Sequence, residues 1–276
     1  MHLLLIHFLL ASSAQTSWAP LTSVLSRSQP LDVGYLEMYN LQFDDAHRTF
    51  ADFEKSHPED PLPLTSDAAA YLFSEFDRLG VLQSDLFLDD GKFKKRKRPE
   101  ADPAAEAAFN EDLEKSDRLA AAVLEKSPDD RDALLANVLN QGLRGDYLAL
   151  IQKKDWASLG YMKNAGVIAE RLLAVDPHCY DAYLAVGVEN YMLGLSAAPV
   201  RWVLRLSGAE TNKQEGIEKL QLTAAKGHYL LPFARLLLAV AAMRDHDTTQ
   251  ARELLQDLAH AFPNNNLYQK ELARIQ

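Results

Sequence analysis

The chain has 276 residues, 47% of them apolar and 25% charged, with a net charge of −10. That length can bury a sizeable core as one large or two small domains, and the acidic balance excludes a protein whose main work is coating nucleic acid. The single cysteine, Cys179, excludes an internal disulfide and a multi-cysteine zinc site, and without a basic neighbour to activate it, it reads as a small semi-buried residue.

Alanine and leucine are abundant and strand-type alternation is rare, so the expected class is all-α. Residues 1–14 read as a signal peptide: Leu3–Leu10 is an apolar run, and Ser12-Ser13-Ala14 supplies small residues for cleavage after Ala14. The run is too short to span a bilayer. The expected localisation is therefore exported, periplasmic or secreted. Residues 15–30 are polar and read as a flexible mature N-terminus.

A first helical pair is expected over 31–58, with Asp32 as cap of a helix through Tyr35 and Met38 to about Leu41. The next helix places Phe43, Ala46, Phe50 and Phe53 on one face and stops before Pro58. The series Ala46, Phe50, Phe53, Pro58 recurs as Ser116, Ala120, Val123, Pro128, as Ala165, Ala169, Leu172, Pro177, and as Ala251, Leu255, Leu258, Pro263. A small residue lets two helices approach, large residues fill the gap, and proline ends the helix. After the prolines, Ala68 and Tyr71, then Tyr183, Val186 and Gly187, and finally Leu238 and Ala239 occupy matching places in the next helices. Residues 232–265 are the clearest block: an almost wholly apolar helix with Arg235 as its only charge before Arg244, a polar turn at Asp245–Thr248, and a helix with Ala251, Leu254, Leu255, Leu258 and Phe262 on one face.

These positions, and a block near the roughly 34-residue period, resemble the tetratricopeptide-repeat superfamily, most closely over 31–80 and 180–276. The layout also resembles divergent, insertion-rich exported bacterial members. The resemblance implies an α-solenoid of about a dozen helices in one domain over 31–276, with the first helix of each pair lining a groove for a peptide or partner protein. The unevenly spaced prolines imply insertions at 81–103 and 192–212. In the second, Pro199 opens a short helix holding Trp202, and Thr211 with Gln214 signs a capping box for a helix over 212–226.

The basic run Lys92, Lys94, Lys95, Arg96, Lys97 and Arg98 reads as a solvated loop, with weak contact to an anionic surface as the alternative. Asp85–Gly91 lacks the spacing and closing glutamate of a calcium loop. The histidines at 47, 57, 178, 228, 246 and 260 do not cluster, and no nucleophile elbow, phosphate-cradling loop or dinucleotide fingerprint occurs. No cofactor and no metal are expected.

On the repeat pattern, Leu184, Val188, Tyr191, Met192, Leu236, Val240 and Met243 fall toward the groove. The expected contact region is Tyr191, Met192, Trp202, Met243 and Arg244, with the Trp202 helix as an alternative filler of the groove. The expectation is thus an exported, non-enzymatic protein binding an unidentified protein or peptide. The alternative is a carrier for an apolar ligand in the same groove. An enzyme with a site between repeats and insertions is the third reading, and a deep pocket with two acids would favour it.

Overall fold

The structure, a computed structural model, describes residues 18–83, 88, 95, 97, 99–194 and 212–275, the side chains of 192–194 excepted. The expected signal peptide, the Trp202 helix and most of the basic run lie outside the described residues. Lys95 and Lys97 are exposed.

Twelve α-helices and no strand occur among the described residues: α1 (Leu21–Val24), α2 (Pro30–Tyr39), α3 (Phe43–Ser56), α4 (Leu62–Leu79), α5 (Pro103–Lys126), α6 (Arg131–Asp146), α7 (Asp155–Val175), α8 (Ala182–Gly194), α9 (Lys213–Lys226), α10 (Leu231–Arg244), α11 (Thr248–Ala261) and α12 (Asn266–Arg274). From α2 to α12 each helix packs against its neighbours in sequence. The even-numbered helices also touch along an inner layer, α2 to α4, α4 to α6 and α6 to α8. No helix among the described residues is long and apolar enough to cross a membrane.

The recurring small-and-large series sits in the helix contacts. Ala46 and Phe50, Ser116 and Ala120, Ala165, Ala169 and Leu172, and Ala251, Leu255 and Leu258 are all buried. Close approach is sharpest between α8 and α9, where a Cβ on Gly216 would lie 2.5 Å from the Tyr191 backbone N and one on Gly187 would lie 3.0 Å from the Gly216 carbonyl O.

Each of the four series prolines builds the same turn. In His57–Asp60, Ser127–Asp130, Asp176–Cys179 and Phe262–Asn265 the last residue donates its N–H to the carbonyl of the first, at 3.0, 3.0, 3.1 and 3.1 Å. Proline at the second position has its φ preset for this turn and cannot continue the preceding helix. In two of the four turns the final residue also caps the next helix, Asp130 accepting from Ala133 N at 3.0 Å and Asn265 from Leu267 N at 3.1 Å, and in a third Asp60, one residue earlier, accepts from Leu62 N at 2.9 Å. One short motif thus ends a helix and starts its successor.

The turns after α2 and α10 share another construction. Leu41 and His246 have φ of 59° and 62°, and the residue after each donates back five positions, Gln42 N to Glu37 O and Asp247 N to Ala242 O, both at 2.9 Å. This left-handed helix end favours glycine. His246 is exposed. The left-handed conformation costs a side-chain-bearing residue about 1–2 kcal/mol, and glycine gives back about 0.5–1 kcal/mol through its freer unfolded chain. We expect His246→Gly to stabilise the protein by about 0.5–1 kcal/mol, read as a higher urea midpoint at unchanged slope; a lower midpoint refutes it.

The ends of the array meet. Tyr39 Oη donates to Tyr229 O at 3.0 Å, Asn265 Nδ2 to Tyr39 O at 2.9 Å, and Asn264 N to Asn40 Oδ1 at 3.0 Å. Tyr35 stacks on Tyr229 at 4.7 Å between centroids. His228 Nε2 lies 2.6 Å from Asp32 Oδ1. Residues 18–30, expected as a loose terminus, run across this junction: α1 packs on α11, Leu21 is fully buried, and Leu21 N donates to Asp257 Oδ1 at 3.0 Å. Asp32 is not the residue preceding α2. It stands inside the first turn and accepts from Gln29 N at 3.0 Å, because Pro30 already starts the helix. Likewise Asn212, not Thr211, caps α9, accepting from Gln214 N at 3.1 Å.

Candidate functional site

With its ends joined, the array lines a partly open cavity of about 120 Å³ along the inner layer. Helix α2 contributes Tyr35, Met38 and Tyr39, α4 contributes Ala69 and Phe73, and α6 contributes Val138, Leu139, Gly142 and Asp146. Leu184 and Val188 come from α8, Phe233 and Leu237 from α10. Three of the rings form a chain: Tyr39 meets Phe73 edge-on at 5.7 Å, and Phe73 meets Phe233 in a T-shape at 5.4 Å. The wall is therefore apolar and aromatic, held by helices whose outer faces are packed.

Two carboxyls line it. Asp181, just before α8, accepts from His228 N at 2.8 Å and Leu230 N at 3.1 Å on one oxygen, and from Tyr229 N at 3.0 Å on the other. It gives the loop between α9 and α10 the acceptors that the proline turns supply locally. Burial nevertheless raises its proton affinity, the three amides only partly opposing it. Asp146, at the end of α6, has no hydrogen bond and no ion pair from its side chain among the described residues. Burial alone pushes it up to about 7. Some of its surface remains accessible, toward the cavity. Among the described residues, this unpaired carboxyl in an apolar wall is the only polar feature of the site not already engaged in holding the fold.

Other buried polar groups are structural. Thr65, Ser116 and Asn140 bond one another at 2.8–3.0 Å, and Asn140 continues to Asp117 at 2.8 Å, pinning α4, α5 and α6 together. Glu75 is held below the usual carboxylate range chiefly by Arg78, whose Nε lies at 2.6 Å. His47 meets Asp67 at 2.5 Å beside Asp112, which burial, then Asp67, pushes up to about 7. No group of acids, histidines or cysteine among the described residues is arranged to hold a metal. Cys179 is buried, and burial raises its thiol to about 11, far from a reactive thiolate.

Of the expected contact region, only Tyr191, Met243 and Arg244 have described side chains. Leu184 and Val188 do face the cavity, but Met243 packs with Ala242 and Ala251 under Val240 and Ile275, away from it. Helix α10 turns Phe233 and Leu237 inward instead of Leu236, Val240 and Met243. Tyr191 lies against α9 at Gly216, and Arg244 is half-buried at the far end of α10. The Met192 side chain and Trp202 lie outside the described residues. The repeat pattern misplaces α10 because that helix is apolar on every side, so periodicity cannot choose its inner face. Asp146 was missed although it had a signal: it continues the stripe Leu139, Gly142, Leu143 at helical spacing, a lone acid on an apolar face. Compared with protein-family models, curated proteins and solved structures, the chain matches none of them.

Proposed function

We propose that this protein is a non-enzymatic binding module that holds a small, largely apolar ligand inside a closed, tetratricopeptide-like helical array. The observation that carries this reading is the partly open pocket of about 120 Å³ with an apolar and aromatic wall. Its size is close to that of an engineered apolar cavity of about 150 Å³ that takes up benzene. A catalytic role is disfavoured because one of the two lining acids, Asp181, has both oxygens committed to backbone amides. The proposal of export continues to rest on residues 1–14.

Gly142 offers a clean test. It lies in the wall, and a Cβ built on it meets no atom within 4 Å. Gly142→Leu fills open space and replaces a helix-interior glycine, a change worth about 0.8–1 kcal/mol in propensity alone. We expect toluene to raise the Tm of the wild type but not of Gly142→Leu, while the variant itself melts no lower than the wild type. Absence of a toluene shift in the wild type overturns the reading.

Peptide or protein binding is the second reading, and it would need an outer surface. Trp156 is 85% exposed and Val167 60% exposed, three helical turns apart on one face of α7. If that face binds a partner protein, Trp156→Glu abolishes the contact without moving the toluene response.

A further inference from the structure

We propose that the ligand of the central cavity is a small organic monocation: an apolar body about the size of benzene carrying one ammonium group, which pairs with the Asp146 carboxylate. The inference rests on the reading of the cavity as a ligand site.

Three observations converge on it. First, Asp146 has no hydrogen-bonding or ionic partner among the described residues, yet it lines the cavity. A partly buried carboxyl left alone is destabilising, and an incoming donor with positive charge relieves that in both its hydrogen-bonding and its electrostatic part. Second, no lysine, arginine or histidine among the described residues lines the cavity. Arg144, on the same helix, is held at 2.7 Å by Asp117. Among the described residues the site thus supplies the anion and not its counterion. Third, Tyr39, Phe73 and Phe233 bring ring faces and edges to the same wall. Aromatic faces attract cations, and the attraction grows where water is excluded. A metal ion does not suit the same place, because one carboxylate in an apolar wall offers too few oxygen ligands.

The volume limits the ligand. A cavity of about 120 Å³ suits one ring or a short branched chain. Benzylamine therefore serves as the probe, with benzyl alcohol and toluene as neutral counterparts of similar shape.

The test is calorimetric binding of these three compounds at pH 8, where the lone acid is ionised and benzylamine is protonated, to the wild type and to Asp146→Asn. A charged hydrogen bond is worth roughly 1.5–3 kcal/mol, so benzylamine should bind the wild type at least about 10-fold more tightly than toluene or benzyl alcohol. In Asp146→Asn the three should fall within about 3-fold of one another, a fold-change marking the loss of the charge. Equal or tighter binding of toluene by the wild type overturns the inference and leaves the apolar-ligand reading intact. Failure of all three to bind overturns both. A preference for benzylamine that persists in Asp146→Asn places the ammonium elsewhere and also overturns the inference. The wild-type comparison does not depend on the variant, and circular dichroism establishes that the variant is folded.

Discussion

Arg235→Met is expected to lower the unfolding free energy by about 3–5 kcal/mol, the range for removing one partner of a buried ion pair. Arg235 is completely buried in α10. Its Nε donates to Ala224 O at 3.0 Å, one of the carbonyls left without a partner at the end of α9. Its Nη2 donates to Ala19 O at 2.9 Å, and its Nη1 pairs with Asp257. The Trp18 ring lies over the guanidinium, 5.5 Å from the centroid. One side chain therefore ties α9, α10, α11 and the N-terminal strap together. Methionine matches its length and leaves Asp257 without its cation and Ala224 O without a donor. Urea unfolding of the wild type and variant measures the loss. The double variant Arg235→Met/Asp257→Leu should recover part of it, because removing both charges is far less harmful than stranding one. A single-variant loss below about 1 kcal/mol would show that the strap is held by apolar contacts such as Leu21.

The local rules of this fold can be read in the sequence, whereas its closure cannot. Pro58, Pro128, Pro177 and Pro263 announce their turns because proline acts on its own backbone and its immediate neighbours. The small residues Ala46, Ala120, Ala169 and Ala251 announce the helix contacts because each helix must pack on the next. The junction of the ends depends on Asp32 with His228, Tyr39 with Tyr229 and Arg235 with Asp257. Those partners are set by the curvature accumulated over the whole array, which no local spacing encodes. The same limit applies to the site. Arg235 stands out in the sequence as a charge in an apolar helix, but nothing local says that it faces a strap and not a groove. Phe233 and Phe73 meet only because the array closes. Once it has closed, the inner faces that would line an open groove line a cavity, and under the proposed function they suit a compact molecule instead of an extended peptide.

Raising the pH from 5 to 8 should destabilise the protein, and Asp146→Asn should remove most of that loss. Burial raises Asp146 from its ordinary value of 3.8 to about 7. The folded state therefore holds its proton where the unfolded chain has released it. The resulting stability is complete below about pH 4 and is lost as pH rises through 7. At 1.36 kcal/mol for each tenfold change in proton affinity the ceiling is about 4 kcal/mol, and water reaching the carboxyl through the cavity brings the expected loss to about 2 kcal/mol. Asp112 is raised to about 7 by burial and by Asp67 and acts in the same direction, more weakly because it is partly open to solvent. Asp60 and Asp181 are also raised, chiefly by burial. Asp32 and Glu75 are lowered, so their contributions are lost only in acid below this window. Asparagine keeps the shape of Asp146 without the ionisation, so urea midpoints of the variant should change far less between pH 5 and pH 8 than those of the wild type. Saturating benzylamine should also flatten the wild-type profile, because a cation that binds the ionised carboxyl offsets its desolvation where that penalty is greatest. Parallel profiles for wild type and variant would mean that the Asp146 carboxyl is solvated, which would weaken the case for its role in the cavity as well.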